Sequence, residues 1–115
     1  MSYINKVILI GYVTGKSIFY KHSEGEHTII LTISTSERWT DKKSNRMQEN
    51  TEFHCVYLHK KLAELVNRYI DIGHQIYIEG QLRTRIIKGS DNQKIHETDI
   101  LVSGAHGKIQ LLSRN

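Results

Sequence analysis

The sequence has no proline and a single cysteine among its 115 residues. Cys55 alone cannot close an internal disulfide, so nothing in the chain points to an oxidising compartment. Without proline, turns have to come from Gly, Asn, Asp and Ser. Long apolar runs are also missing: the longest, Val7–Ile10, is far too short to cross a bilayer. The N-terminus shows neither the charged lead nor the small-residue cleavage site of a signal peptide. These absences predict a soluble, cytoplasmic protein. The length suits one domain, 1–115, with a core that needs no staples.

Catalytic and metal motifs are equally scarce. Gly15-Lys16-Ser17 resembles the end of a phosphate-binding loop, but position 10 is Ile where that loop needs glycine, and no long helix follows. A hairpin turn is the simpler reading. The seven histidines show no His-x-x-x-His spacing, and Cys-x-x-Cys is excluded by the single cysteine. His54 and Cys55 are neighbours on a predicted strand, so they point to opposite faces and cannot readily share an ion. Cys55 has no evident base beside it and reads as a small hydrophobe. No carboxylate pair suits acid–base work. We expect no metal, no cofactor and no enzyme.

What is present is alternation. Thr51–Leu58 places Phe53, Cys55 and Tyr57 on one face and Glu52, His54, Val56 and Leu58 on the other, the period of a strand. Leu62, Leu65, Val66, Tyr69 and Ile70 follow at helical spacing, with Tyr69 expected in the core, and Gly73 is placed to end that helix. The strand period resumes at Gln75. Ile76, Ile78 and Leu82 face one way; Tyr77, Glu79, Gln81, Arg83 and Arg85 face the other, aromatic at one end and cationic at the other.

Around this centre, Ile4–Val13 reads as a strand with a bend at Gly11. Thr14–Ser17 reads as a turn. Ile18–Tyr20 and Thr28–Ser34 read as arms of one hairpin, joined through a break at Ser23-Glu24-Gly25-Glu26. Asp41–Asn50 is polar enough to predict a long, mobile loop. Lys88–Lys94 predicts a turn, Ile95–Val102 a further strand, and Ile109–Leu112 a short tail strand. About five antiparallel strands, with one helix near Lys60–Tyr69 between the third and fourth, describe an all-β OB-fold, a Greek-key barrel. Net charge is +4, and its surplus is concentrated late: residues 59–115 carry nine Lys and Arg against six acids. A polyanion partner and a merely soluble surface fit that balance about equally.

Five stretches together resemble a known family. Asn5-Lys6-Val7-Ile8-Leu9-Ile10-Gly11, Thr35-Ser36-Glu37-Arg38-Trp39, Thr51-Glu52-Phe53-His54, Lys61-Leu62-Ala63-Glu64 and Ile76–Arg85 are similar to the bacterial single-stranded DNA-binding proteins. The resemblance runs from about Ile4 to Leu112. It implies an OB-fold, usually a homotetramer, that wraps single-stranded DNA in replication, recombination and repair, in the cytoplasm and about the nucleoid. It implies stacking on Trp39 first and Phe53 second, with His59, Lys6, Lys61, Arg83, Arg85, Arg38, Lys42 and Lys43 as further DNA contacts. It also places subunit contacts near His54; Tyr77 is a second candidate.

The departures are specific. Phe53 stands where the family has Trp, His59 where a Phe precedes Gly-Lys-Leu, and Ile87 where a Trp follows the Arg-Thr-Arg run. Cys55 replaces a usual Arg, and Asp71-Ile72 a usual basic pair. Base stacking is worth ~1–3 kcal/mol per base, so the expectation is weaker, more salt-dependent binding, with Tyr57 and Lys60 as candidates to compensate. The family usually continues into a flexible linker and an acidic tip that recruits partner enzymes. This sequence stops at Ser113-Arg114-Asn115, which fits a protein without that tail and a chain cut short of it equally. The second reading is a primosome-type OB-fold accessory protein acting mainly through protein contacts. A third, a small enzyme using Cys55 or a metal, ranks last.

Overall fold

The strands are long. In the computed structural model, which describes residues 2–21 and 26–114, β1 (Val7–Lys21) and β2 (Glu26–Thr40) each run 15 residues. β3 (Met47–His59) runs 13, β4 (Gln75–Lys88) 14, β5 (Lys94–Val102) 9 and β6 (Lys108–Ser113) 6. An ordinary strand has about 5–6 residues. The first four are therefore too long for one small barrel, and their ends leave it as two-stranded arms. The radius of gyration is 16.7 Å, against roughly 13 Å for a compact chain of about this length.

The barrel itself is a ring of five strands in the order β1-β2-β3-β5-β4, closed by pairing of β4 with β1. β6 lies along the first half of β4, beside the ring. This is the OB-fold predicted from the alternation, with α1 (Lys60–Tyr69) between β3 and β4. One pairing departs from the antiparallel expectation. β3 and β5 run parallel over Val56↔Ile100, Tyr57↔Leu101 and Leu58↔Val102. A Greek-key ring has to bring strands together that no hairpin connects, and here that junction is parallel.

Aliphatic side chains fill the ring. Ile29, Leu31 and Ile33 from β2, Val56 and Leu58 from β3, and Ile76 and Ile78 from β4 are fully buried. Alternation produces this directly, because every second residue points inward. Leu82 was expected on the same row but is 51% exposed: beyond Gly80, β4 has left the barrel for its arm.

Four further expectations change. Thr14–Ser17 is not a turn but part of β1, and the chain bends there through a register shift between Val13 and Gly15. Gly11 is not the bulge. It keeps register with Ile76, and any Cβ on it would strike the Ser34 carbonyl. The Asp41–Asn50 loop is shorter than expected, since β3 begins at Met47. The tight turn 41–46 is closed by Asp41, whose carboxylate accepts from the Lys43 amide and the Ser44 hydroxyl. In the helix Ala63 and Val66 are buried, as is Ile70 at its cap, whereas Leu65 and Tyr69 are about half exposed. α1 lies across the barrel end, and only one narrow stripe reaches the core. Gly73 does take a left-handed conformation, with φ 94°, but three residues beyond the helix cap at Ile70.

The expected hairpin forms, with Ile18 and Phe19 opposite Ile29 and Thr28, but its second arm begins earlier than Thr28: Tyr20 pairs with His27, and Glu26, expected in the break, opens β2; the rest of that break, Ser23-Glu24-Gly25, lies outside the described residues. Lys16, from the discarded phosphate-loop motif, has a structural task. Its Nζ donates to the carbonyls of Ile70 at 2.8 Å and Asn67 at 3.3 Å, placing a cation at the negative end of α1. Among the described residues, no helix is long and apolar enough to cross a membrane.

Gly80 provides a test of the close approach of β4 to β5. A Cβ there would stand 2.7 Å from the Leu101 carbonyl oxygen and 2.9 Å from the Ile100 methyl. Gly80→Ala is expected to lower stability by ~1–3 kcal/mol through overpacking. Gly104→Ala, with nothing within 4 Å, is the matched control. Equal urea midpoints for the two variants would contradict so close an approach of β4 to β5.

Candidate nucleic-acid interface

Since Val56 and Leu58 point inward, Phe53, Cys55, Tyr57 and His59 point out along β3. The parallel β3–β5 pairing sets Leu101 beside Tyr57, and so brings Asp99 and Glu97 onto the same outer face. β4 pairs Arg83 with Asp99 and Arg85 with Glu97. Three rows therefore lie side by side: aromatic on β3, acidic on β5, basic on β4.

Arg85 is held at their centre. Its guanidinium carbon lies 4.6 Å from the centroid of the Tyr57 ring, within cation–π range. It donates to the Tyr57 hydroxyl and, at 3.1 Å, to the Asp99 carboxylate. Glu97 stands 4.0 Å away. Asp99 is only 7% exposed, and a carboxylate so buried needs a charged, hydrogen-bonded partner. Burial pushes the Tyr57 hydroxyl above its usual pKa, with Cys55 and the two carboxylates adding to that and Arg85 opposing it.

Tyr57, His59, Arg83, Arg85, Asp99 and Leu101 line a shallow groove of about 190 Å³. Beyond His59 it continues into a depression walled by Lys60 and Lys61. His59 is fixed there by a 2.9 Å hydrogen bond with Thr28. At the other end lie Phe53, Cys55 and Thr98.

Of the residues expected at a DNA site, Phe53, His59, Arg83, Arg85 and Lys61 therefore gather along one surface. Phe53 is 65% exposed. Arg38 continues the same face along the β2–β3 arm, paired with Glu49 at 3.7 Å. Trp39 does not share that face. It alternates in phase with the buried Ile33 and lies opposite Gln48, so it projects from the other side of the arm. Lys42 and Lys43 occupy the exposed turn at the arm's tip.

Lys6 lies elsewhere. Its Nζ is 2.7 Å from Glu79, on the surface formed by β1, β4 and β6. That bond, then the one to Tyr77, holds the Glu79 carboxyl below its ordinary range. The Tyr77-to-Arg85 row is thus continuous along β4 but serves two surfaces, one flanked by β1 and β6 and one by β5. His54 and Tyr77 are not brought together: His54 bonds Thr35 at 2.9 Å on the inner side of the β2–β3 arm.

Asp99 and Glu97 were missed by sequence reasoning. The signal was there, as two acids at i and i+2 on one face of the last long strand. What the sequence left out was the register that sets them against Arg83 and Arg85.

A five-stranded Greek-key barrel bearing aromatic and basic side chains along its β3–β5–β4 face belongs to the nucleic-acid-binding OB-fold proteins. Within that class, the profile of the single-strand binding protein family matches residues 4–112, and the chain belongs to that family. Among solved structures, a Plasmodium falciparum SSB in complex with ssDNA superposes with a TM-score of 0.86 at 25% identity, covering 98% of each chain. A deletion mutant of the single-stranded DNA binding protein from Thermus aquaticus superposes at 0.73, also at 25% identity. It matches 96% of this chain, which spans 51% of that longer one.

Cys55 reports on this face. Burial, and then the Asp99 and Glu97 carboxylates, push its thiol pKa up. Alkylation by iodoacetamide near about pH 8 is expected to be slower in the folded protein than in urea, where a free thiol is partly ionised. Glu97→Gln should accelerate the folded-state reaction. Equal folded and unfolded rates would show that the thiol does not sense these groups.

Proposed function

We propose that this chain, acting over residues 1–115 as one module, binds single-stranded DNA without sequence preference and protects it during replication, recombination and repair. The supporting observation is the outer face that carries Tyr57, His59 and Arg83 along the groove and Phe53 further along the same row of β3, in a chain that belongs to the single-strand binding protein family. Rings with an exposed face stack on any base, and cations follow the backbone without reading it. No catalytic step and no cofactor belong to this reading.

The path runs from Lys61 and His59 past Arg83 to Phe53. Only then does it turn around the β2–β3 arm to Trp39, with Lys42 and Lys43 at the tip. Phe53 rather than Trp39 is accordingly the first platform. Arg38 and Lys6 are secondary, because each already has a carboxylate partner.

The protein assembles with copies of itself, as a tetramer in the first instance and a dimer in the second. Ile8, Ile10 and Tyr12 are each about half exposed on β1, beside Tyr77 and Leu112. An apolar patch of that kind calls for a covering surface. The β1–β2 pairing begins only at Tyr12, so Val7–Gly11 also offers a strand edge on which a second β1 can pair. Tyr77 belongs to this contact, and His54 is peripheral to it.

Phe53→Ala is expected to weaken binding of both short and long thymidine oligonucleotides by ~1–3 kcal/mol, one stacked base. Trp39→Ala should cost a similar amount only on strands long enough to turn around the arm. Trp39 emission should be quenched by the long oligonucleotide and little by the short one. Duplex bound as tightly as single strand would refute the function. Quenching absent at any length would favour an accessory role through protein contacts. For assembly, light scattering should show an oligomer that Ile10→Glu converts to monomer; a wild-type monomer at micromolar concentration would contradict it.

A further inference from the structure

The most cationic strand of the binding face is neutralised from within. Arg85 lines the groove beside Arg83, yet its NH2 group donates to Asp99 at 3.1 Å and faces Glu97 at 4.0 Å. Two carboxylates against one guanidinium leave the cluster with a net negative charge. A guanidinium offers a planar fork that fits a carboxylate or a phosphate equally well. The buried Asp99 carboxylate already accepts a hydrogen bond from the Arg85 NH2 group, a donor that a phosphate could otherwise use. Arg83, one pleat along, makes no ion pair among the described residues.

We propose that Asp99, assisted by Glu97, limits the affinity of this face by holding Arg85 in place of a DNA phosphate. The inference rests on the single-stranded DNA reading above. Asp99 acts through Arg85 rather than by touching DNA, so it is a positioning residue. Its effect is to lower binding strength and to remove one phosphate contact from the salt dependence. Arg85 then contributes mainly by stiffening the Tyr57 ring as a platform, with the guanidinium stacked against it.

The test is titration of the full chain with a thymidine oligonucleotide at several salt concentrations. Asp99→Asn keeps the side-chain shape and should tighten binding about tenfold, the order expected for one additional charge-assisted hydrogen bond to phosphate. The salt slope should steepen by about 0.7, the increment for one further phosphate on a single strand. Both effects should vanish in Asp99→Asn/Arg85→Ala. Glu97→Gln, on a half-exposed side chain, should give a smaller tightening, and it decides the matter should Asp99→Asn fail to fold. Wild type that binds, with variants that bind no tighter, overturns the proposal. A tightening that survives removal of Arg85 also overturns it, because it would then be a general charge effect. Wild type that fails to bind single strands at all would refute the functional reading instead.

Discussion

Three residue pairs between β3 and β5 hold the arrangement together. Val56↔Ile100, Tyr57↔Leu101 and Leu58↔Val102 join strands that are distant in sequence, and they do so in parallel. On the inner side this junction packs Val56, Leu58, Ile100 and Val102 into the core. On the outer side the same junction lays Tyr57 beside the Asp99 row, and β4 follows with Arg83 and Arg85. Because strand residues alternate strictly, core and binding face cannot be set independently. A slip of one residue here would bury Tyr57 and expose Leu58.

The core is aliphatic. Among the described residues, none of the aromatic side chains is fully buried; Trp39, Phe53, Tyr12 and Tyr69 are near half exposed or more. Such a surface is costly in water unless something covers it. A nucleic-acid strand would cover the rings of the β3–β5–β4 face, and the proposed self-association would cover those of the β1–β4–β6 face. Leaving the barrel interior to Ile, Leu and Val is what frees the rings for those surfaces.

Charge is arranged with similar separation. The net value of +4 is modest, and part of it is engaged inside the molecule. Lys6 is tied to Glu79, Arg38 to Glu49, Arg85 to Asp99 and Glu97, and Lys16 to the end of α1. Arg83 on the groove, and Lys42 and Lys43 at the tip of an arm, carry no such tie among the described residues. A count of basic residues therefore overstates the field that an approaching strand meets.

Much of the fold was legible in the sequence because it rests on local periodicity. The period-two rows of β3 and β4, the helix over Lys60–Tyr69, and the Lys88–Lys94 turn follow from residues close in the chain. So do Phe53 and Tyr57 on one face, and the five stretches that carry the family resemblance. Long-range register was not legible. Thr14–Ser17 has turn-forming residues, yet pairing with β2 draws it into a strand. Tyr69 has the spacing of a core residue, but the placement of α1 on the barrel end leaves it exposed. Trp39 and Phe53 look alike as stacking residues, and only the β2–β3 register sends them to opposite sides of the arm. The ion pair of Arg85 with Asp99 joins residues 14 positions apart across the β4–β5 pairing. Sequence by itself determined which side chains each strand offers to a face. The tertiary structure alone decided which faces meet, because that depends on strand closure between segments with no local preference for one another.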